Sequence, residues 1–413
     1  MKRTAVYGVG TGINGRDAAM QATQRALDQI GTAKPVLALA FVSQEYNTSE
    51  VLTGLTSLLG DTPLWGFSTM NPLCCLGDQA RSVLVALIAA PSNVMADYKA
   101  DVQWFPNFSV DSAATARQFV QGLKQEVFLP QDILLAADGI NGSLMPLCSA
   151  FGDLSVNVTG CMAAGDPSLS KTYIIGKNQA GPGAMSAAIL GGKFRLGVGL
   201  AHGWQDVGVY FHATRSRDVW LHALDGKPAV EAYARYFGFT PREWAFPPLT
   251  DMARLYPLGV EQIAVREPSG TGPLGEEEPV AAETEPRGLL LRSSLRVEVD
   301  GSLRMSAPVP EGSVVHLMTG DPDACLSAAQ SAADQAMDNL GEAKPLLAVA
   351  LIDEAWKLLF ESRPGQVAGA IKSVIGDLPL VGAYTFGQLI RPDATKPPVL
   401  HNQNLALVII GEA

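Results

Sequence analysis

What this chain lacks narrows its chemistry before anything it contains does. In 413 residues there are five cysteines and five histidines. Cys74, Cys75, Cys148, Cys161 and Cys325 are odd in number and show no C-x-x-C spacing, so neither a disulfide framework nor a zinc knuckle is indicated. A reducing cytoplasm fits that usage. No uninterrupted apolar run approaches the roughly 18–20 residues of a membrane span. Gly8, Gly10 and Gly12 interrupt the run that a signal peptide would need. Lys and Arg form no cluster, and the net charge is −11, which argues against a phosphate backbone or an anionic membrane as the main partner. The motifs G-x-S-x-G and H-E-x-x-H, the P-loop and the kinase signatures are all absent.

What is present is a soluble, globular composition, 47% hydrophobic and 17% charged, long enough for two or more domains. It is organised by self-similarity. Ala18–Val42 and Ala328–Ile352 agree at 12 of 25 positions at a constant offset of 310. Ser57–Thr69 and Ser373–Thr385 agree at 7 of 13 at an offset of 316. Each copy predicts an Ala-rich helix ending at Gly31 or Gly341, where glycine takes the left-handed capping conformation. An apolar strand follows, VLALAFV or LLAVALI, suited to burial on both faces. Then come a helix closing at Gly60 or Gly376, a short strand and turn, GFST or GAYT, and a closing strand, Ser82–Ala89 or Asn404–Gly411. A looser third copy reads DILLAADGI, LMPLCSAFGD, VNVTGCMAAGD and AMSAAILGG.

The expected fold is therefore α/β (α+β), with mixed sheets flanked by helices and built from repeated βαββ units with pseudo-symmetry. The expected domains are 1–240, holding two units, and 241–413, holding an acidic Pro/Gly/Glu loop at 266–288, a hairpin around Asp300-Gly301 and one unit.

Motifs are weighed one at a time. Gly10, Gly12 and Gly15 satisfy G-x-G-x-x-G, but Asp17 opposes a phosphate at the helix start, so a glycine turn before the helix is the better reading. Asp138 and Asn141 end a predicted strand, where polar residues converge on a ligand or form an Asx turn. His212 and His316 lie inside strand-like runs and read as structural; His222 reads as surface. His202 and His401 sit where strands meet polar loops, where a neutral imidazole can hold a metal or a ligand. Trp65, Phe67, Tyr384 and Phe386 in the repeated turns serve a core or a small-ligand pocket.

These phrases together resemble the FIST family of sensory input proteins, with N-terminal and C-terminal FIST domains. The resemblance rests on LALAFVSQEY, LLGDTPLWGFST, AADGINGS, GVGLAHGWQDVG and LDGKPAVEAY, then VPEGSVVHLM, GDLPLVGAYTFGQL and LHNQNLALVII. The chain departs from the family pattern at Gln205 and Asp206, at Ile352, Asp353 and Glu354 where the family commonly has Cys, Gly and Arg, at Gln388 in place of an acidic residue, and at Asn404. The resemblance implies a non-enzymatic cytoplasmic sensor of a small ligand, amino acid-like or haem as a nitric oxide detector. It would signal to a separate protein such as a histidine kinase or cyclase, with no nucleic acid or membrane as partner. The expected pocket residues are Thr69, Asn141, Cys161, Tyr384, Thr385, His401, Asn402 and Gln403, with His401 or His202 on iron if haem binds. The enzyme alternative is a hydrolase with Thr385, Ser68 or Cys161 as nucleophile, which needs a positioned base. A protein-binding scaffold is the third reading.

Overall fold

The Ala-rich stripes explain how the helices seat. In the computed structural model, which describes residues 4–151, 154–165, 171–238, 254–262, 288–391 and 395–413, the helix Gly15–Ile30 buries Ala18, Ala19, Ala22 and Ala26. Small side chains let its backbone ride directly on the strand Ala5–Gly10. A Cβ at Gly8 or Gly10 would come 2.2 and 2.0 Å from the carbonyl oxygens of Ala22 and Ala18. The same device recurs on the helix Pro322–Leu340, where Cβ atoms at Gly197 and Gly199 would fall 2.1 and 1.9 Å from the oxygens of Ala336 and Ala332. The first helix is capped by Asn14, whose side chain accepts from the Asp17 N–H. The N-terminal glycines thus serve close helix–strand approach rather than a dinucleotide phosphate. Gly31, Gly60, Gly341 and Gly376 end their helices at the expected places and at positive φ, 55 to 66°, but with ψ of −114 to −134° they take a turn open to glycine and not the left-handed helical conformation expected of them.

The described chain divides into two compact units, 1–204 with 320–413, and 205–319. The sequence-level division falls elsewhere, at 240/241.

The larger unit contains two mixed sheets. In the first, the strands run in the order Ala5–Gly10, Val83–Ala90, Lys34–Ser43, Leu64–Thr69, then the hairpin Ile174–Gly181. In the second, eleven-stranded sheet, the path is Phe194–Ala201, Leu405–Glu412, Lys344–Asp353, Leu380–Arg391, Asn157–Ala163, Asp132–Ala137, Met185–Gly192 and Tyr98–Phe105. One arrangement occurs three times along the chain. A parallel pair, joined through helix, takes a closing strand antiparallel to its first member: Lys34–Ser43 with Leu64–Thr69 and Val83–Ala90, Asp132–Ala137 with Asn157–Ala163 and Met185–Gly192, and Lys344–Asp353 with Leu380–Arg391 and Leu405–Glu412. The register agrees as well, Ala38 facing Leu64 as Ala348 faces Leu380.

These three arrangements interlock through short strands. Pro72–Cys74 pairs on Leu380–Arg391, Ile174–Gly176 on Leu64–Thr69, and the distal half of Leu380–Arg391 on Asn157–Ala163. A glycine sits at the middle of each junction: Gly382 faces Leu73, Gly66 faces Ile175, and Gly160 faces Leu389. The inner faces share one apolar core that includes Phe41, Trp65, Phe67, Leu134, Val349 and Val408. A second cluster lies between the first sheet and its helices.

The smaller unit is an antiparallel sheet from Trp204–Arg217 to Val314–Gly320, backed by the helix Ala229–Ala234. Its hairpin Ser294–Val297 with Leu303–Met305 turns through Gly301 at φ 80°, as the Asp-Gly signal predicts. The expected loop 266–288 lies outside the described residues except for Gly288.

Candidate functional site

The strand Leu380–Arg391 is where the polar groups of the larger unit collect. Its first half runs parallel to Lys344–Asp353, and its register slips between Thr385 and Gly387 before it continues along Asn157–Ala163. Such a bulge re-aims the side chains on either side of it.

Thr69 and Tyr384 meet at the start of that bulge. The Thr69 hydroxyl donates to the Tyr384 carbonyl and accepts from the Tyr384 N–H, both at 3.0 Å. The Tyr384 hydroxyl donates to Asp78 Oδ1 at 2.9 Å. The other Asp78 oxygen lies 2.8 Å from Lys357 Nζ, which stands 5.2 Å from the Tyr384 ring centroid. Burial above all, and the Asp78 charge after it, hold the Tyr384 phenol well above its ordinary range, so it remains an O–H donor. Turned so that its amide oxygen faces Lys357 Nζ at 2.7 Å, Asn71 completes this group.

One residue further on, the Thr385 hydroxyl donates to the Ile352 carbonyl at 3.2 Å and accepts from Gln388 Nε2 at 2.8 Å. Gln388 is fully buried, and its side-chain carbonyl oxygen has no hydrogen-bond partner among the described residues. Across the sheet it faces Cys161 on one side and His401 on the other. Asn402 donates to the Phe386 carbonyl at 3.0 Å. Gln403, at φ 63°, gives its N–H to Asp353 Oδ2 at 2.8 Å, and its carbonyl accepts from the Trp356 indole at 3.0 Å.

The structure thus brings Thr69, Cys161, Tyr384, Thr385, His401, Asn402 and Gln403 onto one strand and its immediate neighbours. Asn141 is different. It is exposed, and its backbone N–H, like that of Ile140, goes to Asp138 Oδ1 at 2.9 Å in the Asx-turn geometry. Asp138 Oδ2 is taken by Thr172 and Gly183. Sequence reasoning did not place Asp78, Lys357 or Gln388 among the site residues. Asp78 and Lys357 are 279 positions apart and carry no motif. Gln388 did carry a signal, as a departure from the family pattern three residues after Thr385.

The nucleophiles of the enzyme alternative are engaged otherwise. Thr385 is held by a carbonyl and a neutral amide, and Ser68 Oγ accepts from the Tyr173 N–H at 2.8 Å. Burial pushes the Cys161 thiol well up, away from the thiolate. None of these partners is a base.

The backbone beside both histidines is closely packed, which leaves no room for haem on that side of either residue. A macrocycle needs an apolar slot beside its axial imidazole. Next to His401, a Cβ at Gly387 would already lie 2.8 Å from Asn402 Nδ2 and 3.0 Å from the His401 carbonyl. Next to His202, a Cβ at Gly203 would lie 2.2 Å from the Cys325 nitrogen. Two surface depressions are bordered by Arg217–His222 with Arg296–Ser302, and by Leu123–Pro130 with Leu154–Val156, and neither includes His202, His401 or Gln388. Among the described residues no group of three His, Cys, Asp or Glu side chains is placed to hold a metal ion.

Comparison with known proteins gives consistent matches. The model of the FIST N domain matches residues 36–227, and that of the FIST C domain matches 229–391. An uncharacterized protein of Methanocaldococcus jannaschii is 28% identical over 81 residues, 20% of this chain. The chain spans only 16% of that relative's length. No helix among the described residues is long and apolar enough to cross a membrane.

Proposed function

Because the chain belongs to the FIST family, whose domains are small-ligand sensory modules, we propose that it binds a small polar metabolite beside Gln388. The ligand is amino acid-like, and the signal passes to a separate protein such as a histidine kinase or cyclase in the cytoplasm. One observation carries the site. Gln388 is fully buried and its carbonyl oxygen has no partner among the described residues, a condition that costs a fold about 1–3 kcal/mol when nothing compensates it. A ligand N–H or O–H donor supplies that compensation.

The agreement of pairing and register among the three strand arrangements supports reading them as repeats of one unit, two in a FIST N-like region, 1–240, and one in a FIST C-like region, 241–413.

The test is a thermal-shift screen of amino acids and related metabolites on the full chain. The expected result is stabilisation by at least one compound that disappears in both Tyr384→Phe and His401→Ala. A shift that survives both substitutions removes this site. An absorption spectrum with added haem checks the other ligand: a Soret band that moves with nitric oxide and is lost on His401→Ala or His202→Ala would replace the metabolite reading. Turnover of an amide and ester panel, sensitive to Thr385→Ala, would replace it with the hydrolase.

A further inference from the structure

The hairpin Pro72–Asp78 carries two adjacent cysteines that the ligand site does not use. Leu73 pairs with Asp78 and Cys74 with Gly77, leaving Cys75 and Leu76 as a two-residue turn. Cys74 ends the strand and Cys75 opens the turn, so the two thiols are carried by residues joined through a single peptide bond at the point where the chain reverses. Tyr7, on the strand Ala5–Gly10, completes the group. Its hydroxyl lies 2.7 Å from Cys75 Sγ. The two cysteines differ in access: Cys74 is buried and Cys75 is half-exposed at the turn.

We propose that Cys74 and Cys75 form a reversible redox site, closing to a disulfide between neighbours when a hydroperoxide reaches the turn. The Cys75 thiolate attacks the peroxide, its sulfur bonds the distal oxygen, the O–O bond breaks, and hydroxide or alkoxide leaves and is protonated. Cys74 sulfur then attacks the Cys75 sulfenic acid; the S–S bond forms, the S–O bond breaks and water leaves. The two thiols lose two electrons and two protons, and the peroxide is reduced. Tyr7 is a positioning residue here, its O–H donating to the Cys75 sulfur as negative charge develops on it. Burial chiefly, with the Cys75 hydrogen bond second, keeps its phenol well above the usual range, so that proton stays available. Burial raises the Cys74 thiol, which suits the resolving partner better than the attacking one.

Geometry also sets the bond's lability. Cα atoms across one trans peptide are about 3.8 Å apart, closer than the roughly 4.4–6.8 Å of ordinary disulfides, and a bond closed under such strain is readily reduced. It would behave as a switch, not a staple. The inference stands apart from the ligand reading but touches the same strand, since Cys74 faces Val381 and Asp78 holds Tyr384.

The experiment treats the full chain with hydrogen peroxide, blocks remaining thiols by alkylation, and maps the peptide containing both cysteines by mass spectrometry. Expected is the loss of two hydrogens from that peptide, with neither cysteine alkylated, reversed by dithiothreitol. Oxidation of Tyr7→Phe, which removes one hydrogen bond to sulfur, should be slowed roughly fivefold, with its melting temperature measured to show that it is folded. In Cys74→Ser the expected product is a persistent sulfenic acid on Cys75. Full alkylation of both cysteines after peroxide, or oxidation of Cys75 beyond sulfenic acid in the unsubstituted chain while Cys74 stays reduced, would overturn the proposal.

Discussion

The strands Leu64–Thr69 and Leu380–Arg391 share a backbone frame and use it differently. Ser68 faces Val42 in its sheet as Tyr384 faces Ile352 in the other. The Ser68 hydroxyl is spent on a neighbouring backbone N–H, whereas Tyr384 reaches past the backbone to a carboxylate and a lysine. Thr69 fastens the two strands together; Thr385 instead orients Gln388. The difference teaches that where backbone groups already have partners, side chains at the same position are released for recognition.

The largest test of that comparison concerns the residues that brace each arrangement. Trp356 is fully buried, stacks on Phe360 and donates to the Gln403 carbonyl. Tyr46 shares its one hydroxyl proton between the Gly12 and Arg81 carbonyls. Trp356→Ala should cost about 3–5 kcal/mol in urea unfolding, and Tyr46→Phe roughly 1–3 kcal/mol for taking that shared donor from two carbonyls. Equal costs would mean that the two braces are interchangeable and the comparison fails. Gly66→Ala and Gly382→Ala come next. Each new Cβ would meet a carbonyl oxygen of the adjacent strand, at 2.1 and 2.3 Å, so both should lose about 1–3 kcal/mol by overpacking. A loss confined to one of them would break the parallel.

Much of this frame was legible beforehand. The apolar runs VLALAFV and LLAVALI and the Asp300-Gly301 turn each follow from local chemistry and became the expected element, and the capping glycines end the expected helices, though at a ψ other than the left-handed helical one. The interlocking of the strands was not legible, because a three-residue strand such as Pro72–Cys74 has no periodicity of its own and its partner lies more than 300 residues away. For the same reason Asp78 and Lys357 escaped notice. Gln388 could have been singled out, because an amide inside FGQLI is polar in a run that is otherwise apolar; only its burial shows what that amide faces.

Histidines give the smallest effects and sharpen the contrast between the two units. Burial draws the His316 pKa down, but hydrogen bonds to Glu261 and Asp206, each 2.8 Å long, outweigh it and the net direction is upward. Its contribution is therefore complete below the unfolded pKa of about 6.5 and is lost as pH rises through the folded value. His202 is lowered, by burial first, so its contribution is present above about pH 6.5 and is lost as pH falls toward the folded value. The partly exposed carboxylates around His316 limit its effect to about 1 kcal/mol or less. Melting curves of His316→Gln and His202→Gln between pH 5 and 8, a span chosen about the ordinary histidine pKa, should lose opposite slopes; slopes of the same sign would contradict these assignments.

The most direct measurement is ligand-induced thermal stabilisation in Gln388→Met. Methionine keeps the shape, forfeits one hydrogen bond to Thr385 and removes a buried carbonyl that has no partner among the described residues. The account predicts a variant within about 1 kcal/mol of the unsubstituted chain in stability that no longer responds to the metabolite stabilising the unsubstituted chain. A variant that still responds in full would contradict it, because Gln388 would then be an amide of the core and the ligand would bind elsewhere.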